Sequence, residues 1–238
     1  KLYVGTDNYG LYMYDNGTFQ RVSEMYNLGV STINAMYEDD NKNLWIAASS
    51  GIFRLSSDGA EALADDVVSG LSVGNISGHG DYVYAIANND ILITVDPERH
   101  VSITNKSEYR VDDINSLYVD ENGNRYYGSA GYSILKIGTD GKNEIINTGN
   151  LHGINKIYSD GDNIWALADD GVGYISSKGN VTAIGGLSFN ESMSDMIIDF
   201  EGNYWFTSYR KGILQLERSK FQNVTMKYGI DSSIVNCV

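Results

Sequence analysis

The sequence predicts an all-β fold, a β-propeller of six four-stranded antiparallel blades, on three observations. A short strand with an aromatic second residue recurs six times, at Tyr3, Trp45, Tyr84, Tyr126, Trp165 and Trp205, spaced by 42, 39, 42, 39 and 40 residues. Polar turns rich in Asp, Asn and Gly precede these strands, most fully at Asp39–Asn43, Asp120–Asn124, Asp160–Asn163 and Asp199–Asn203. The composition holds 26 Gly and 18 Tyr against a single proline, Pro97, which suits many short strands joined by tight turns. A period near 40 residues with several strands per unit is the pattern of a propeller blade.

Alternation and turn signals divide each unit into strands A to D, counted from the inside outward. The first blade begins at strand B, with Leu2–Thr6, Gly10–Tyr14 and Thr18–Val22. The second reads Ile33–Glu38, Leu44–Ala48, Gly51–Leu55 and Ala60–Leu63, and the third Asn75–Ser77, Val83–Ala87, Ile91–Val95 and His100–Thr104. The fourth reads Ile114–Val119, Arg125–Ser129, Ile134–Ile137 and Asn143–Ile146, and the fifth Ile154–Tyr158, Ile164–Ala168, Val172–Ile175 and Val181–Ile184. The sixth reads Asp195–Phe200, Tyr204–Thr207, Ile213–Leu216 and Phe221–Thr225. No stretch has an apolar helical period with caps, so helix content is expected to be close to zero. Strands B and C are expected to be buried between blades, with Trp45, Trp165 and Trp205 as packing residues.

The first blade lacks strand A, and Ser232–Val238 matches the A strands beginning Thr32-Ile-Asn and Asp113-Ile-Asn. Pairing of that last strand with the N-terminal strands would close the ring and remove two free sheet edges. The alternative is a piece of a longer blade array. Either way, residues 1–238 read as one propeller domain, since no Pro-, Ser- or charge-rich linker interrupts the repeat, and the start inside a blade points to a segment of a longer protein.

A formal charge of −14 with only 17 basic residues argues against nucleic acid as a partner. No apolar run approaches the ~20 residues of a membrane-spanning helix. The single cysteine, Cys237, leaves no internal disulfide.

The recurring phrase stands as Asn41-Lys-Asn-Leu-Trp-Ile-Ala-Ala-Ser-Ser-Gly-Ile-Phe-Arg-Leu55, as Leu2-Tyr-Val-Gly-Thr-Asp-Asn-Tyr-Gly-Leu-Tyr-Met-Tyr-Asp-Asn-Gly17, and as Glu201-Gly-Asn-Tyr-Trp-Phe-Thr-Ser-Tyr-Arg-Lys-Gly-Ile-Leu214. It resembles the two-component regulator propeller repeat along essentially the whole chain, and is degenerate in the third blade. The resemblance implies a non-catalytic sensor domain on the periplasmic or extracellular side of a bacterial membrane protein. It also implies an output domain in the same polypeptide beyond a membrane helix, a dimer or domain arrangement that carries the signal, and oligosaccharides among the ligands. It brings no catalytic motif and no cofactor.

Other chemistry fares poorly. Gly70-Leu-Ser-Val-Gly74 matches the nucleophile-elbow pattern but lies in a loop with no helix after it, which that motif needs. His79, His100 and His152 have no second His or Cys at metal spacing, and a propeller lyase would have to rely on His152. The oxygen-rich turns lack the Gly and Glu positions of a calcium loop and read as Asx turn chemistry. The loops between strands B and C, gathered at one mouth of the channel, supply the candidate ligand site: Tyr9, Asn88, Tyr132, Asp169, Asp170, Tyr209 and Arg210. Tyrosine rings can cover the apolar face of a small polar ligand such as a polyol while amides and acids take its hydroxyls. A protein partner is the competing reading of the same Tyr/Arg rim.

Overall fold

The computed structural model describes residues 1–63, 67–176, 179, 181–185 and 191–217. Six antiparallel sheets follow one another along the chain. The first holds β1 (Leu2–Gly5), β2 (Leu11–Asp15) and β3 (Thr18–Arg21). The second holds β4 (Ile33–Glu38), β5 (Leu44–Ala48), β6 (Gly51–Ser56) and β7 (Gly59–Ala62). The third holds β8 (Val73–His79), β9 (Tyr82–Ala87), β10 (Ile91–Val95) and β11 (Val101–Asn105). The fourth is β12 (Ile114–Val119), β13 (Arg125–Ser129), β14 (Ser133–Ile137) and β15 (Asn143–Asn147). The fifth is β16 (Ile154–Ser159), β17 (Ile164–Ala168), β18 (Gly171–Ile175) and β19 (Val181–Ala183). The sixth holds β20 (Met193–Ile198), β21 (Tyr204–Ser208) and β22 (Gly212–Leu216). These are propeller blades, with strands in simple sequence order. The outer strand expected at Phe221–Thr225 and the closing strand expected at Ser232–Val238 lie outside the described residues.

Apolar side chains fill each interface between successive blades. Leu11, Val22 and Val30 pack on Leu44, Ile46 and Phe53 between the first two blades. Trp45, Ala47 and Ile52 meet Val73, Val83 and Ala85 between the next two. The same pattern carries through Ile86, Ile114 and Tyr127, then Tyr126, Ile154 and Ala166, then Trp165, Met193 and Phe206. Every residue of β5 is buried, so this strand reads as a continuous apolar run rather than an alternation.

All five A strands carry a bulge at the same place. Asn34, Gly74, Asn115, Asn155 and Ser194 are each skipped in the pairing with strand B. A bulge leaves one residue without a partner across the sheet and turns its side chain off the strand axis. The Asn34 amide donates to the Val73 carbonyl of the next blade at 2.8 Å, and the Asn155 amide to the Met193 carbonyl at 3.2 Å. In the third blade the residue after the bulge does this work, Asn75 donating to the Asn115 carbonyl at 3.0 Å. Blade-to-blade lacing thus recurs at the end of the sheets where strands A begin.

The opposite end is held by carboxylates. The Trp45 indole donates to Asp39 at 2.9 Å, the Trp165 indole to Asp160 at 2.8 Å and the Trp205 indole to Asp199 at 2.8 Å. Tyr126 donates its hydroxyl to Asp120 at 3.3 Å. The other oxygen of each carboxylate caps the A–B turn by accepting backbone N–H groups, as from Asn43 and Asn203. These four aromatic anchors are therefore packing residues and tie points together.

Helix content is close to zero, as expected: the described residues hold one helical turn, α1 (Val22–Met25), and a 3₁₀ turn at Lys106–Glu108, both in D–A connections. Two readings need correcting. The innermost strand of the sixth blade is Met193–Ile198 rather than Asp195–Phe200: the bulge at Ser194 breaks the alternation, and Phe200 sits 98% exposed in the turn. Trp205 is half-buried, unlike Trp45 and Trp165, because its blade meets a neighbour on one side only among the described residues.

Candidate functional site

The B–C turns and the D–A connections lie at the rim where the A strands begin. Tyr132 in the B–C turn of the fourth blade is 53% exposed, and its ring lies 4.9 Å from that of His152 in the following D–A connection. The two rings border a hollow of 500 Å³ whose remaining walls are Lys106, Val111, Asp112, Asp113, Ala130 and Gly131. Its floor is set by backbone pairing: Ala130 N–H donates to the Asp113 carbonyl and Gly153 N–H to the Gly131 carbonyl, at 2.6 and 3.0 Å. Lys106 forms an ion pair with Asp113 and lies 3.9 Å from Asp90. These neighbours raise its pKa, the hydrogen bond to Asp113 most, so the ammonium is held charged in place.

Asp169 and Asp170 sit beside this hollow but serve the scaffold. Asp169 accepts from the Asn155 amide at 2.9 Å and the Ser192 hydroxyl at 3.1 Å, tying the fifth blade to the sixth. Asp170 accepts the His152 backbone N–H at 2.9 Å and so fixes the loop that carries His152. Tyr132, Asp169 and Asp170 are thereby joined through one loop. The other predicted residues are dispersed around the rim. Tyr9 is 66% exposed, its carbonyl accepting from Arg21 Nε at 2.7 Å. Asn88 forms a left-handed turn with Asn89 (φ 53° and 59°), and it is Asn89 whose amide reaches the next blade, at the Ile114 carbonyl. Tyr209 is 73% exposed and Arg210 lies next to it, its backbone N–H donating to Ser208 Oγ at 3.3 Å.

Sequence reasoning over the B–C loops alone missed Lys106, Asp112 and His152 as partners of Tyr132. The signal was present, because D–A connections of a propeller share that rim. Spacing to another His or Cys also overlooked Asp96, Glu98 and His100, whose ligand atoms lie within 4.8 Å of one another on the exposed C–D turn of the third blade. That turn is at the end of the blade away from the hollow.

Residues 27–50 match the family model described as two component regulator propeller. That stretch, running from the end of the first blade into strand B of the second, carries the two-component regulator propeller repeat. No curated protein matches the sequence. Among solved structures, this chain superposes with TM-score 0.75 and 18% identity on an extracellular domain assigned to a one component system of B. thetaiotaomicron, covering 92% of this chain and 31% of that one. An extracellular domain assigned to a hybrid two component system of the same organism gives TM-score 0.71 and 19% identity, over 86% and 30% of the two chains. Virginiamycin B lyase from Staphylococcus aureus gives 0.61 and 14%, over 78% and 69%. The chain spans about a third of the length of the first two structures. At these identities the likeness is one of fold.

Proposed function

We propose that this propeller is the non-catalytic, ligand-binding sensor region of a bacterial signal-transduction protein, working on the periplasmic or extracellular side of a membrane. The observation that carries the reading is the hollow at Tyr132 and His152, an open depression with an exposed aromatic ring and polar side chains on the face where loops gather. A small polar ligand such as an oligosaccharide would lay its apolar face on Tyr132 and hydrogen-bond with Asp112 and His152. Occupancy would then bias a dimer or domain arrangement and pass to an output domain elsewhere in the same polypeptide. The fold-level likeness to extracellular domains of one- and two-component systems supports the signalling context. A thermal-shift screen against oligosaccharides tests it. A ligand at 100 times its Kd adds about 2.7 kcal/mol, or roughly 5–10 °C for a domain of this size, and Tyr132→Ala should remove the shift. An empty screen, with a protein captured through Tyr9 and Tyr209 instead, would replace the sensor by a scaffold.

We also propose that the ring is closed by the C-terminal segment pairing with β1. In five blades the residue three past the start of strand A faces the residue after the aromatic anchor: Met36↔Ile46, Ile76↔Ala85, Leu117↔Tyr127, Ile157↔Ala166 and Met196↔Phe206. With Ile234 as the start, Cys237 would face Val4. Opposed residues on paired antiparallel strands have Cα atoms about 4.5–5.5 Å apart, within the range a disulfide spans. Val4→Cys should therefore oxidise to an intrachain disulfide with Cys237. Crosslinked dimers, or two free thiols, would mean that β1 takes its partner from another part of a longer array.

A further inference from the structure

We infer that the hollow selects by charge: Asp112 makes it a site for a neutral or amine-bearing saccharide and closes it to acidic ones. The inference rests on the sensor reading above and adds the chemical class of the ligand. Among the residues lining the hollow, one lysine stands against two aspartates. The lysine is not available to an anion, because Lys106 is already held between Asp113 and Asp90. Asp112 differs from its neighbour. The Lys106 ammonium feels its charge, but the contacts of that lysine go to Asp113 and Asp90, and the Asp112 carboxylate lies over Gly131, where a Cβ would fall on its Oδ2.

A carboxylate beside an exposed aromatic ring suits vicinal hydroxyls or an ammonium, both of which donate to its two oxygens. A ligand carboxylate in the same position would face a like charge, and the nearby Lys106 is already shared among Asp113, Asp90 and Asp112. The surroundings deepen the effect. Asp170 sits on the His152 loop through that residue's backbone N–H, and the chain as a whole carries −14. His152 borders the same hollow by its ring contact with Tyr132, so a ligand laid on Tyr132 would also lie against the lining that includes Asp112.

The test is calorimetric titration of the 238-residue chain with paired probes differing in the oxidation state of C6: mannohexaose against hexamannuronate, and galactohexaose against hexagalacturonate. For a pair that binds, the uronate should be at least about tenfold weaker. Asp112→Asn should narrow that gap by about tenfold, chiefly by strengthening the uronate, and Tyr132→Ala should weaken both members alike. Uronates that bind the unaltered chain as well as the neutral probes, or an Asp112→Asn chain with an unchanged ratio, would overturn the charge selection while leaving a saccharide sensor standing. Binding that ignores Tyr132→Ala would move the site elsewhere. No binding by either class would overturn the sensor reading together with its selectivity.

Discussion

The carboxylate of Asp160 accepts the indole N–H of Trp165 within its own blade at 2.8 Å and, on the same oxygen, the hydroxyl of Tyr204 from the next blade at 2.9 Å. The two rings lie 4.8 Å apart. One side chain therefore caps a turn, anchors a core tryptophan and joins two blades.

Asp160→Ala should cost about 2–3 kcal/mol in urea unfolding, since it leaves a buried indole N–H and a phenol without an acceptor. Asp160→Asn keeps one acceptor oxygen and should cost less. An alanine variant within about 0.5 kcal/mol of the parent would reduce the tie to an accident of packing.

Acid should loosen the same rim. Burial pushes the Asp39 carboxyl up, but hydrogen bonds from the Asn43 amide and the Trp45 indole outweigh it and hold the pKa below the usual value. Asp160 behaves likewise under its bonds from Trp165, Asn163 and Tyr204. At Asp199 the Trp205 indole, with Asn203, holds the pKa at about 2. A folded-state pKa below the unfolded value of about 3.9 gives stability that is present above that pH and lost as pH falls through the folded pKa. Denaturation midpoints should stay level from pH 7 to about 5 and then drop towards pH 2. Asp199→Asn should flatten part of that drop, and a variant that titrates like the parent would show Asp199 is not among the groups responsible.

Two glycines should respond in opposite ways to alanine. A Cβ on Gly128 would lie 2.6 Å from Ile154 Cγ2 of the next blade and fall on Ser116 Oγ, whereas one on Gly74 meets nothing within 4 Å. Gly128→Ala should lose about 1–3 kcal/mol through overpacking, and Gly74→Ala should stay within about 0.5 kcal/mol of the parent. Equal effects in thermal unfolding would deny that the blades close up at Gly128.

Asn155 should be more sensitive to charge than to loss. Its amide reaches Asp169, Ser192 and the Met193 carbonyl, at 2.9, 3.4 and 3.2 Å. Asn155→Ala should cost about 1–2 kcal/mol. Asn155→Asp sets a carboxylate against Asp169 and should cost more at neutral pH, with part of the loss recovered near pH 4 in the same urea assay. An aspartate variant no worse than alanine would make the lacing dispensable.

The blades were legible because the aromatic anchors do a local job: each sits on strand B a fixed distance after its turn, so Trp45 and Trp165 reveal the repeat without any knowledge of the whole. The Asp-rich turns were legible as turns for the same reason. Their second role, as acceptors for the indoles, needed the path of the side chains. The bulges at Asn34, Asn115 and Asn155 were not read, because a skipped residue looks like ordinary alternation until the partner strand fixes the register. The hollow was read in part. Tyr132 stood out in a B–C loop, but Lys106, Asp112 and His152 reach it from connections distant in sequence.

The Asp–indole ties at one rim of the blades have a consequence for the other. What holds a blade together and what it exposes on the loop rim are written in different stretches of each forty-residue unit. Substitutions around Tyr132 can therefore accumulate without touching Asp120 or Tyr126, and the loop rim can be rewritten while the chassis beneath it is inherited unaltered.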